Sequence, residues 1–253
     1  MNNKKELIIF DLDGTLNESK LPIDEEMAIL FPELLKKYKV SVTSGKGFDL
    51  FQNQFLKFLK CEKELFNNLF LFPTCSTSFY VFKEDWIPVY KEVLTKEQKE
   101  KVFNAFKTTF KEMNYKYPEK VYGEVIEDRE TQVTFSAFGQ LAPIEIKQSW
   151  DKDQKKRIQI KNILEKHLRE FEVRVAGTTS IDVTKKGITK AYGIRQIEKN
   201  LKIPISKMLF VGDDLTSKDG NDYPVRETGI EWIEVKGPKE TKELIRKLLD
   251  STS

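Results

Sequence analysis

Two aspartates at the end of a short apolar run are the first residues whose types and spacing point to chemistry. Asp11 and Asp13 follow the run Leu-Ile-Ile-Phe at 7–10, and Gly14 then turns the chain. A short run without polar alternation predicts a buried parallel strand, and ligands of open α/β sheets bind beyond the carboxyl ends of such strands. Two carboxylates crowded there repel each other unless a cation lies between them or one takes up a proton. The pair therefore suits a hard metal ion beside an aspartate nucleophile; the alternative is a strand that simply ends in an Asp-Gly turn.

Further polar residues stand where strands are predicted to end or helices to begin. Ser44 follows a second apolar run, and Gly45 leaves backbone N–H groups open at a predicted helix start, which suits a phosphate group. Lys190 opens a later helix, Asp213 ends another short apolar strand, and Asp222 lies in the loop that follows. Phosphoryl transfer needs an in-line nucleophile, a divalent metal, and fixed positive charge and donors around the equatorial oxygens. Taken together with the first pair, these residues supply each of those parts, although each alone is equally typical of a turn or a solvated charge.

The elements that position these residues alternate between strand and helix in the first and last parts of the chain. In the first part, strands are predicted at 7–10, 40–43 and 69–72, and helices at 22–37 and 48–59. In the last part, helices are predicted at 189–200 and 238–249, and strands at 208–211 and 230–235. A βαβαβ order predicts a parallel sheet with right-handed crossovers.

The middle of the chain has a different pattern. It predicts, in order, a hairpin of strands 78–82 and 86–90, a helix over 95–113 that begins with a capping box, strands at 121–126 and 131–138, a helix over 151–169, and strands at 171–175 and 180–184. Strands with helices segregated between them are typical of an α+β unit. We therefore predict an α/β fold whose doubly wound, parallel-sheet core (residues 1–83 and 187–253) carries an inserted α+β domain (residues 84–186).

Composition limits the classes of function to be considered. Charged residues make up 33% of the 253 residues, and the net charge of +3 comes from basic residues scattered among acids, so neither nucleic acid nor a membrane surface is expected as a partner. No apolar run is long enough to cross a bilayer, and there is no signal-peptide pattern. Cys61 and Cys75 suit reduced thiols, so we predict a cytoplasmic protein. Because His167 is the single histidine, histidine-based catalysis is not expected.

The chain resembles the haloacid dehalogenase-like phosphotransferase superfamily, whose first motif is the Asp-x-Asp-Gly-Thr found at residues 11–15. The position of the insert, after the third core strand and before Lys190, is similar to that of the superfamily's type IIB cap. Within the superfamily, the chain most resembles the eukaryotic-type phosphomannomutases. Ser-Ile-Asp-Val at residues 180–183, followed by Gly187 and Lys190, keeps the spacing of their Ser-Phe-Asp-Val segment, and Gly-Asn-Asp at 220–222 is similar to the end of their metal loop.

The resemblance implies catalytic roles for matched residues. Asp11 is expected to be the nucleophile that becomes an aspartyl phosphate, and Asp13 the general acid and then the general base. Ser44 is expected to hydrogen-bond the phosphoryl group, and Lys190 to neutralise its charge.

The resemblance also implies a Mg²⁺ cofactor. Its expected ligands are the Asp11 carboxylate, the backbone carbonyl of Asp13 and Asp213, with waters completing an octahedron. Asp222 is expected to orient Lys190 or a metal-bound water, the alternative being a loop residue that caps a helix. Because the loop is one residue longer than in the mutases, three aspartates compete for this supporting role, namely Asp214, Asp219 and Asp222.

Departures from the mutases concern the substrate more than the chemistry. The mutases carry cap arginines that grip a second phosphate, one of them in a Phe-Arg-Asn-Gly segment where this chain has Phe-Ser-Ala-Phe-Gly-Gln at 135–140. Lys147 and Arg157 fall near the positions of two others, so both are candidates for substrate binding; the alternative is that they are ordinary surface charges. Ser180 and Asp182 could bind substrate hydroxyls or could form the solvent-facing side of a strand. Gly45 is a further candidate, through its backbone at the phosphate site.

These observations favour a Mg²⁺-dependent phosphohydrolase that acts on a sugar phosphate or a similar small phosphorylated metabolite through an aspartyl-phosphate intermediate. One alternative is a phosphomannomutase that interconverts mannose 1-phosphate and mannose 6-phosphate. A third hypothesis is a catalytically inactive binding module on the same fold. The sequence leaves open the exact substrate and whether the protein is a monomer or a homodimer.

Overall fold

The computed structural model describes residues 5–18, 21–218 and 220–250, which form two compact units. The core unit contains the residues up to Lys91 and from Thr189 onward, and the inserted unit is Glu92–Ile188. Both boundaries lie further along the chain than the predicted ones at 83/84 and 186/187. The difference at the first boundary is the hairpin of residues 78–91, whose strands pair with the sheet of the core unit.

One seven-stranded sheet organises the core unit. With strands numbered along the whole chain, its members are β1 (Leu7–Asp11), β2 (Lys39–Thr43), β3 (Leu69–Phe72), β4 (Ser78–Lys83), β5 (Asp85–Lys91), β10 (Met208–Gly212) and β11 (Glu231–Glu234). Their order in space is β11-β10-β1-β2-β3-β4-β5. The first five are parallel, and β4 and β5 extend the sheet as an antiparallel hairpin. The carboxyl ends of β10, β1 and β2 therefore lie side by side, which is where open α/β sheets bind ligands.

Helices cover both faces of this sheet. They are α1 (Glu25–Lys37), α2 (Phe48–Gln54), the single turn α3 (Pro73–Ser76), α7 (Lys190–Leu201) and α8 (Pro238–Asp250), with 3-10 turns at Leu56–Phe58, Lys63–Asn68, Ile205–Lys207 and Tyr223–Thr228. In β1, Ile8 and Phe10 pack in the apolar cluster that includes α1, whereas Leu7 and Ile9 pack in the cluster that includes α7. Burial on both faces explains the absence of polar alternation and confirms the predicted α/β core.

The outer strand β5 forms one edge of the core sheet and is largely exposed. Ile87, Pro88 and Val89 are all exposed, and Pro88 stands opposite Tyr80 of β4. A proline has no N–H to donate, so this edge presents an interrupted row of donors.

The inserted unit is an α+β unit with its own core. Its elements are α4 (Lys96–Glu112), β6 (Ile126–Asp128), β7 (Val133–Ser136), α5 (Ile144–Trp150), α6 (Lys155–His167), β8 (Phe171–Ala176) and β9 (Ser180–Lys185). The four strands form an antiparallel sheet in the order β6-β7-β9-β8. The predicted capping box is present, since Thr95 and Gln98 exchange side chain–backbone hydrogen bonds at the start of α4. Alternate strand residues such as Phe135 and Ile181 pack with α4 and α6.

Two element predictions in the inserted unit were wrong. The strand predicted at 121–126 overlaps the observed β6 only at Ile126, and Gly123, with a φ of 90°, interrupts the extended backbone within the predicted range. The helix predicted over 151–169 begins later, at Lys155, and α5 before it was not predicted. None of the helices in the described part of the chain is long and apolar enough to cross a membrane.

Candidate active site

Asp11, the last residue of β1, lies in a buried cluster of charges. Its carboxylate accepts a hydrogen bond from Nζ of Lys190 at 2.6 Å, and the same ammonium group donates to Asp222 at 2.5 Å. The three residues are 3%, 3% and 0% exposed, respectively. Burial opposes the charge of Lys190, but the two neighbouring carboxylates raise its pKa above the ordinary value. Lys190 is therefore a permanent cation between two aspartates.

Lys190 reaches this cluster because it is the first residue of α7, which packs closely on α3. At Gly193 in α7, an added Cβ would collide with the side chain of Ser76. Only a residue without a side chain allows this approach, so the contact between Gly193 and Ser76 fixes the distance between α7 and the end of the sheet.

The turn α3 has an unusual backbone. Thr74, Cys75 and Ser76 have φ values of 50°, 55° and 70°, and all three residues are buried. A left-handed conformation costs an L-residue about 1–2 kcal/mol, so the surrounding contacts must hold this turn in place. One such contact is the hydrogen bond from the backbone N–H of Cys75 to the carbonyl oxygen of Ser44 at 2.9 Å. The strained turn thus braces the loop that follows β2.

Asp213 follows the end of β10 and faces the turn that follows β1. Thr15 donates its hydroxyl to Asp213 Oδ1 at 3.2 Å, and Gly14, with a φ of 80°, leaves the space in which a Cβ would collide with the same carboxylate. Although Asp213 is exposed as a residue, desolvation of its carboxylate raises its pKa to about 7, and the charge of Asp222 adds to this effect. The glycine of the Asp-x-Asp-Gly motif thus makes room for the aspartate of a neighbouring strand.

Three carboxylates of this region are close enough to share one cation. Oxygens of Asp11, Asp213 and Asp222 all lie within 4.8 Å of one another. Burial raises the pKa of Asp11 well above its usual range, Lys190 opposes this rise, and Asp222 and Asp213 increase it further. One ammonium group therefore faces three carboxylates, an excess of negative charge that a divalent cation would neutralise. The all-oxygen donor set fits a hard cation such as Mg²⁺.

Two carboxylates hold the first residues of the loop after Asp213. Glu234, at the end of β11, accepts the backbone N–H groups of Leu215 and Thr216 at 2.9 and 2.8 Å. Asp222, further along the loop, accepts the backbone N–H of Asp214 at 3.3 Å. Of the three aspartates proposed for the supporting role, Asp222 contacts Lys190. Asp214 has a pKa that burial raises above its usual value. Asp219 lies outside the described residues.

Ser44 and Gly45 follow β2, where the sequence placed a phosphate-binding turn. Ser44 is 1% exposed, and its Oγ accepts the backbone N–H of Lys46 at 3.1 Å. Because that oxygen accepts one hydrogen bond, the hydroxyl hydrogen of Ser44 can be donated to a phosphoryl oxygen. Gly45 is half-buried in the same turn, immediately before α2.

Asp13, the second aspartate of the motif, pairs with Lys46. Nζ of Lys46 lies 2.7 Å from Asp13 Oδ1, and the same ammonium group donates to the side chain of Gln54. Lys46 was not predicted from the sequence. A signal was present, since a cationic residue stands two positions after the serine of the predicted phosphate turn, but nothing in the sequence showed which carboxylate it meets.

Lys147 and Arg157 belong to the inserted unit and are not surface charges, so that alternative was wrong. They are 4% and 3% exposed. Arg157 pairs with Asp151 through Nε at 2.8 Å and donates its remaining groups to the carbonyl oxygens of Asp151, Ala176 and Gly177. Lys147 donates to the carbonyl oxygen of Gln140. Four hydrogen bonds thus hold the guanidinium group of Arg157 within its own unit.

Ser180 and Asp182 lie on β9 of the inserted unit, and the alternative that they face solvent was wrong for Asp182. Asp182 is 3% exposed and accepts a hydrogen bond from Thr134 at 2.8 Å, while the hydroxyl groups of Ser180 and Ser136 lie 3.0 Å apart. This face of the sheet therefore presents hydroxyl groups and a carboxylate, a pattern suited to neutral groups that both donate and accept hydrogen bonds.

Comparison with known proteins identifies relatives over nearly the whole length. The sequence model of the haloacid dehalogenase-like hydrolase family matches residues 8–223. A phosphomannomutase of Encephalitozoon cuniculi is 26% identical over 94% of this chain and 91% of its own length. A phosphomannomutase of Spinacia oleracea is 25% identical over 87% of this chain and 85% of its own length.

Solved structures share the fold at lower identity. The IMP-bound Plasmodium falciparum IMP-nucleotidase superposes with a TM-score of 0.73 at 17% identity, covering 98% of this chain and 69% of the nucleotidase. The C-terminal domain of C. albicans trehalose-6-phosphate phosphatase gives a TM-score of 0.64 at 17% identity, covering 100% of this chain and 96% of the domain. Because the family model extends from β1 through the loop that carries Asp213 and Asp222, the chain belongs to the haloacid dehalogenase-like hydrolases, a family of enzymes.

Proposed function

We propose that the chain is a Mg²⁺-dependent phosphohydrolase that acts on a sugar phosphate or a similar small phosphorylated metabolite through an aspartyl phosphate on Asp11. The observation that carries this proposal is the buried Asp11 carboxylate, 2.6 Å from the Lys190 ammonium group, within a cluster of three carboxylates. A nucleophile needs such a fixed position at the end of a strand, beside positive charge that can meet the phosphoryl oxygens.

The carboxylates fit a Mg²⁺ ion, because they are oxygen donors with an uncompensated negative charge. Asp11, Asp213 and the backbone carbonyl of Asp13 would hold it, and Asp222 would orient Lys190. When bound, the ion would supply positive charge that stabilises the ionised carboxylates and the charge of the transferring phosphoryl group.

The side chains then divide the chemistry. The Asp11 carboxylate attacks phosphorus, the ester P–O bond breaks, and the leaving oxygen takes a proton from Asp13. In the second step, water attacks the aspartyl phosphate, Asp13 takes up its proton, and inorganic phosphate is released with Asp11 restored. Lys190 holds positive charge beside the phosphoryl oxygens, and Ser44 donates its hydroxyl to one of them.

The inserted unit is proposed to act as a type IIB cap that selects the substrate. Ser180 and Asp182, on the polar face of its sheet, would contact hydroxyl groups of the substrate body. Lys147 and Arg157 were proposed as phosphate ligands, but the internal contacts of Arg157 support a structural role instead. The predictions of a cytoplasmic location and of a monomer or homodimer are kept as proposals.

A phosphomannomutase is the second candidate, favoured by relatives of that name. A mutase must hold a bisphosphorylated intermediate while it reorients, which requires positive charge for the second phosphate. Two observations weigh against this requirement here. The segment 135–140 has no arginine, and the guanidinium group of Arg157 is committed within its own unit.

The test of the proposed function is a screen of phosphorylated sugars and nucleotides for release of inorganic phosphate in the presence of Mg²⁺. The matched blank is Asp11→Asn, which keeps the shape of the side chain but removes the nucleophilic charge. We expect at least one substrate to be hydrolysed and Asp11→Asn to be slower by about 10³-fold or more. A wild-type protein that hydrolyses nothing, or that only matches Asp11→Asn, would support the inactive binding module.

Incubation with mannose 1-phosphate, with and without a catalytic sugar bisphosphate, separates the two enzyme candidates. We expect inorganic phosphate without mannose 6-phosphate, whether or not the bisphosphate is added. Formation of mannose 6-phosphate that depends on the bisphosphate would establish the mutase instead.

A further inference from the structure

The two aspartates of the Asp-x-Asp motif have separate lysine partners. Asp11 pairs with Lys190, the first residue of α7, whereas Asp13 pairs with Lys46, in the turn before α2. The first pair is almost fully buried, with side-chain exposures of 5% and 2%. The second pair is more accessible, with 26% of the Asp13 side chain and 12% of the Lys46 side chain exposed. The Asp13 side chain is therefore more accessible to solvent than that of Asp11.

The backbone of Lys46 is fixed on two sides. Its N–H donates to Ser44 Oγ at 3.1 Å, and its carbonyl oxygen accepts the N–H of Thr74 at 2.8 Å. Its ammonium group spans from Asp13 to the side chain of Gln54, at the end of α2. A lysine whose backbone is held and whose ammonium group has two partners can keep the Asp13 carboxylate in one orientation, as a proton-transferring group requires.

We propose that Lys46 is a positioning residue that orients the Asp13 carboxyl group for proton transfer to the leaving oxygen. The inference rests on the proposed function, in which Asp13 is the general acid and base. Lys46 binds Oδ1 and thereby restrains the orientation of the carboxyl group. As the proton moves from Asp13 to the leaving oxygen, the negative charge that forms on Asp13 lies beside the Lys46 ammonium group.

The test uses the dependence of kcat/KM on the leaving group, because kcat/KM reports the steps up to transfer of phosphate to Asp11. A leaving phenolate of low basicity, as from p-nitrophenyl phosphate, needs little protonation, whereas an alkoxide from a sugar phosphate needs it strongly. The variants are Lys46→Met, which removes the charge, and Lys46→Arg, which keeps it. The control is Lys57→Met, at an exposed lysine that contacts Asn53.

For Lys46→Met we expect kcat/KM to fall by about 100-fold on an alkyl phosphate and by less than about 10-fold on p-nitrophenyl phosphate. Lys46→Arg is expected to stay within about 5-fold of wild type on both esters, because a guanidinium group retains the charge and the donors. Lys57→Met is expected to match wild type on both. Gln54→Met removes the second hydrogen-bond partner of the Lys46 ammonium group. We expect it to lower kcat/KM on the alkyl phosphate more than on p-nitrophenyl phosphate, but by less than Lys46→Met does.

An equal loss on both esters for Lys46→Met, or no loss on either, would overturn the positioning role. A second result would also overturn it. If Lys46→Met melts far below Lys57→Met but keeps normal kcat/KM below the transition, the ion pair is purely structural. Absence of turnover by wild type would contradict the proposed function itself, and with it this inference, whereas turnover without the leaving-group signature contradicts the inference alone.

Discussion

Asp213 is the member of the carboxylate cluster that combines solvent exposure with a raised pKa. It lies against Gly14 and Thr15, within reach of Asp11 and Asp222, and its carboxylate is partly removed from water. Its pKa is raised to about 7, so in the absence of a cation it takes up a proton near neutral pH. A divalent cation can bind only after that proton has left.

We therefore expect the affinity for Mg²⁺ to depend on pH. Below pH of about 7, the proton of Asp213 alone should lower the affinity by up to about tenfold per pH unit, because the cation must displace it. Titration calorimetry in two buffers with different ionisation enthalpies measures both the affinity and the protons released. An affinity that is constant from acidic to neutral pH, with no proton release, would contradict this assignment.

The raised pKa of Asp213 also predicts how the stability of the metal-free protein changes with pH. A carboxyl group whose pKa is raised in the folded state holds more protons there than in the unfolded chain between its ordinary value of 3.8 and about 7. Its contribution to the free energy of unfolding is therefore lost as pH rises through that interval. Chemical denaturation with a chelator present should show wild type losing stability relative to Asp213→Asn as pH rises from 4 to 7. A constant difference between the two proteins would refute it.

The residues of the site differ in how far the sequence could predict them. The positions of Asp11, Asp13, Ser44 and Asp213 at the carboxyl ends of strands could be predicted, because each stands at the end of a short apolar run and parallel strands bring those ends together. The pairing of Asp13 with Lys46 could not be predicted, because it depends on the direction in which a loop side chain extends. Arg157 was read as a surface charge or a phosphate ligand, since a helix with many charges does not reveal that one of them is buried against Asp151.

At the scale of elements, the position of α7 sets the position of Lys190. The helix packs on the strained turn α3 at Gly193, with no space for a Cβ beside Ser76. The turn α3 also binds the loop after β2, through the hydrogen bond from Cys75 to Ser44. The contact of α7 with α3 therefore links the position of Lys190 to that of Ser44.

Gly193→Ala is expected to lower kcat by about tenfold or more, because displacement of α7 moves Lys190 away from Asp11. The free energy of unfolding should fall by about 1 kcal/mol, since overpacking outweighs the gain of about 1 kcal/mol in helix propensity. Steady-state kinetics and denaturant unfolding measure the two effects. Lys199→Ala, at an exposed position of the same helix, is the control. If Gly193→Ala were more stable than wild type and had unchanged kcat, the contact between Gly193 and Ser76 would not set the position of Lys190.

The sequence predicted the elements well where burial gives a simple pattern and less well elsewhere. The central strands β1, β2, β3 and β10, which are buried on both faces, were predicted within one or two residues. The turn α3 was not predicted, because three consecutive left-handed residues without glycine have no signal in the sequence Thr-Cys-Ser. The hairpin of β4 and β5 was predicted, but its pairing with β3 was not, because strand patterns do not specify which sheet a hairpin joins.

At the scale of the whole molecule, the chain has two units with separate apolar cores, and each has a buried ion pair. In the inserted unit, Arg157 and Asp151 have side-chain exposures of 3% and 1%. Removal of one partner would leave the other charge buried and uncompensated, which costs far more than loss of a surface pair.

Arg157→Met is expected to lower the free energy of unfolding of the inserted unit by about 3–5 kcal/mol. Calorimetry should show the corresponding transition moving to lower temperature, whereas Arg169→Met, at an exposed position, should leave it unchanged. Below the transition, kcat/KM of Arg157→Met should stay close to that of wild type. A rise in KM without loss of stability would return Arg157 to the substrate site.

Pro88, on the exposed strand β5, has a consequence for the protein in crowded solution. Pro88 has no N–H to offer a strand from a colliding chain, and a proline on an exposed edge strand disfavours growth of the sheet by recruitment of neighbours. Replacement of Pro88 by valine in search of stability would complete the ladder and open a route to aggregation.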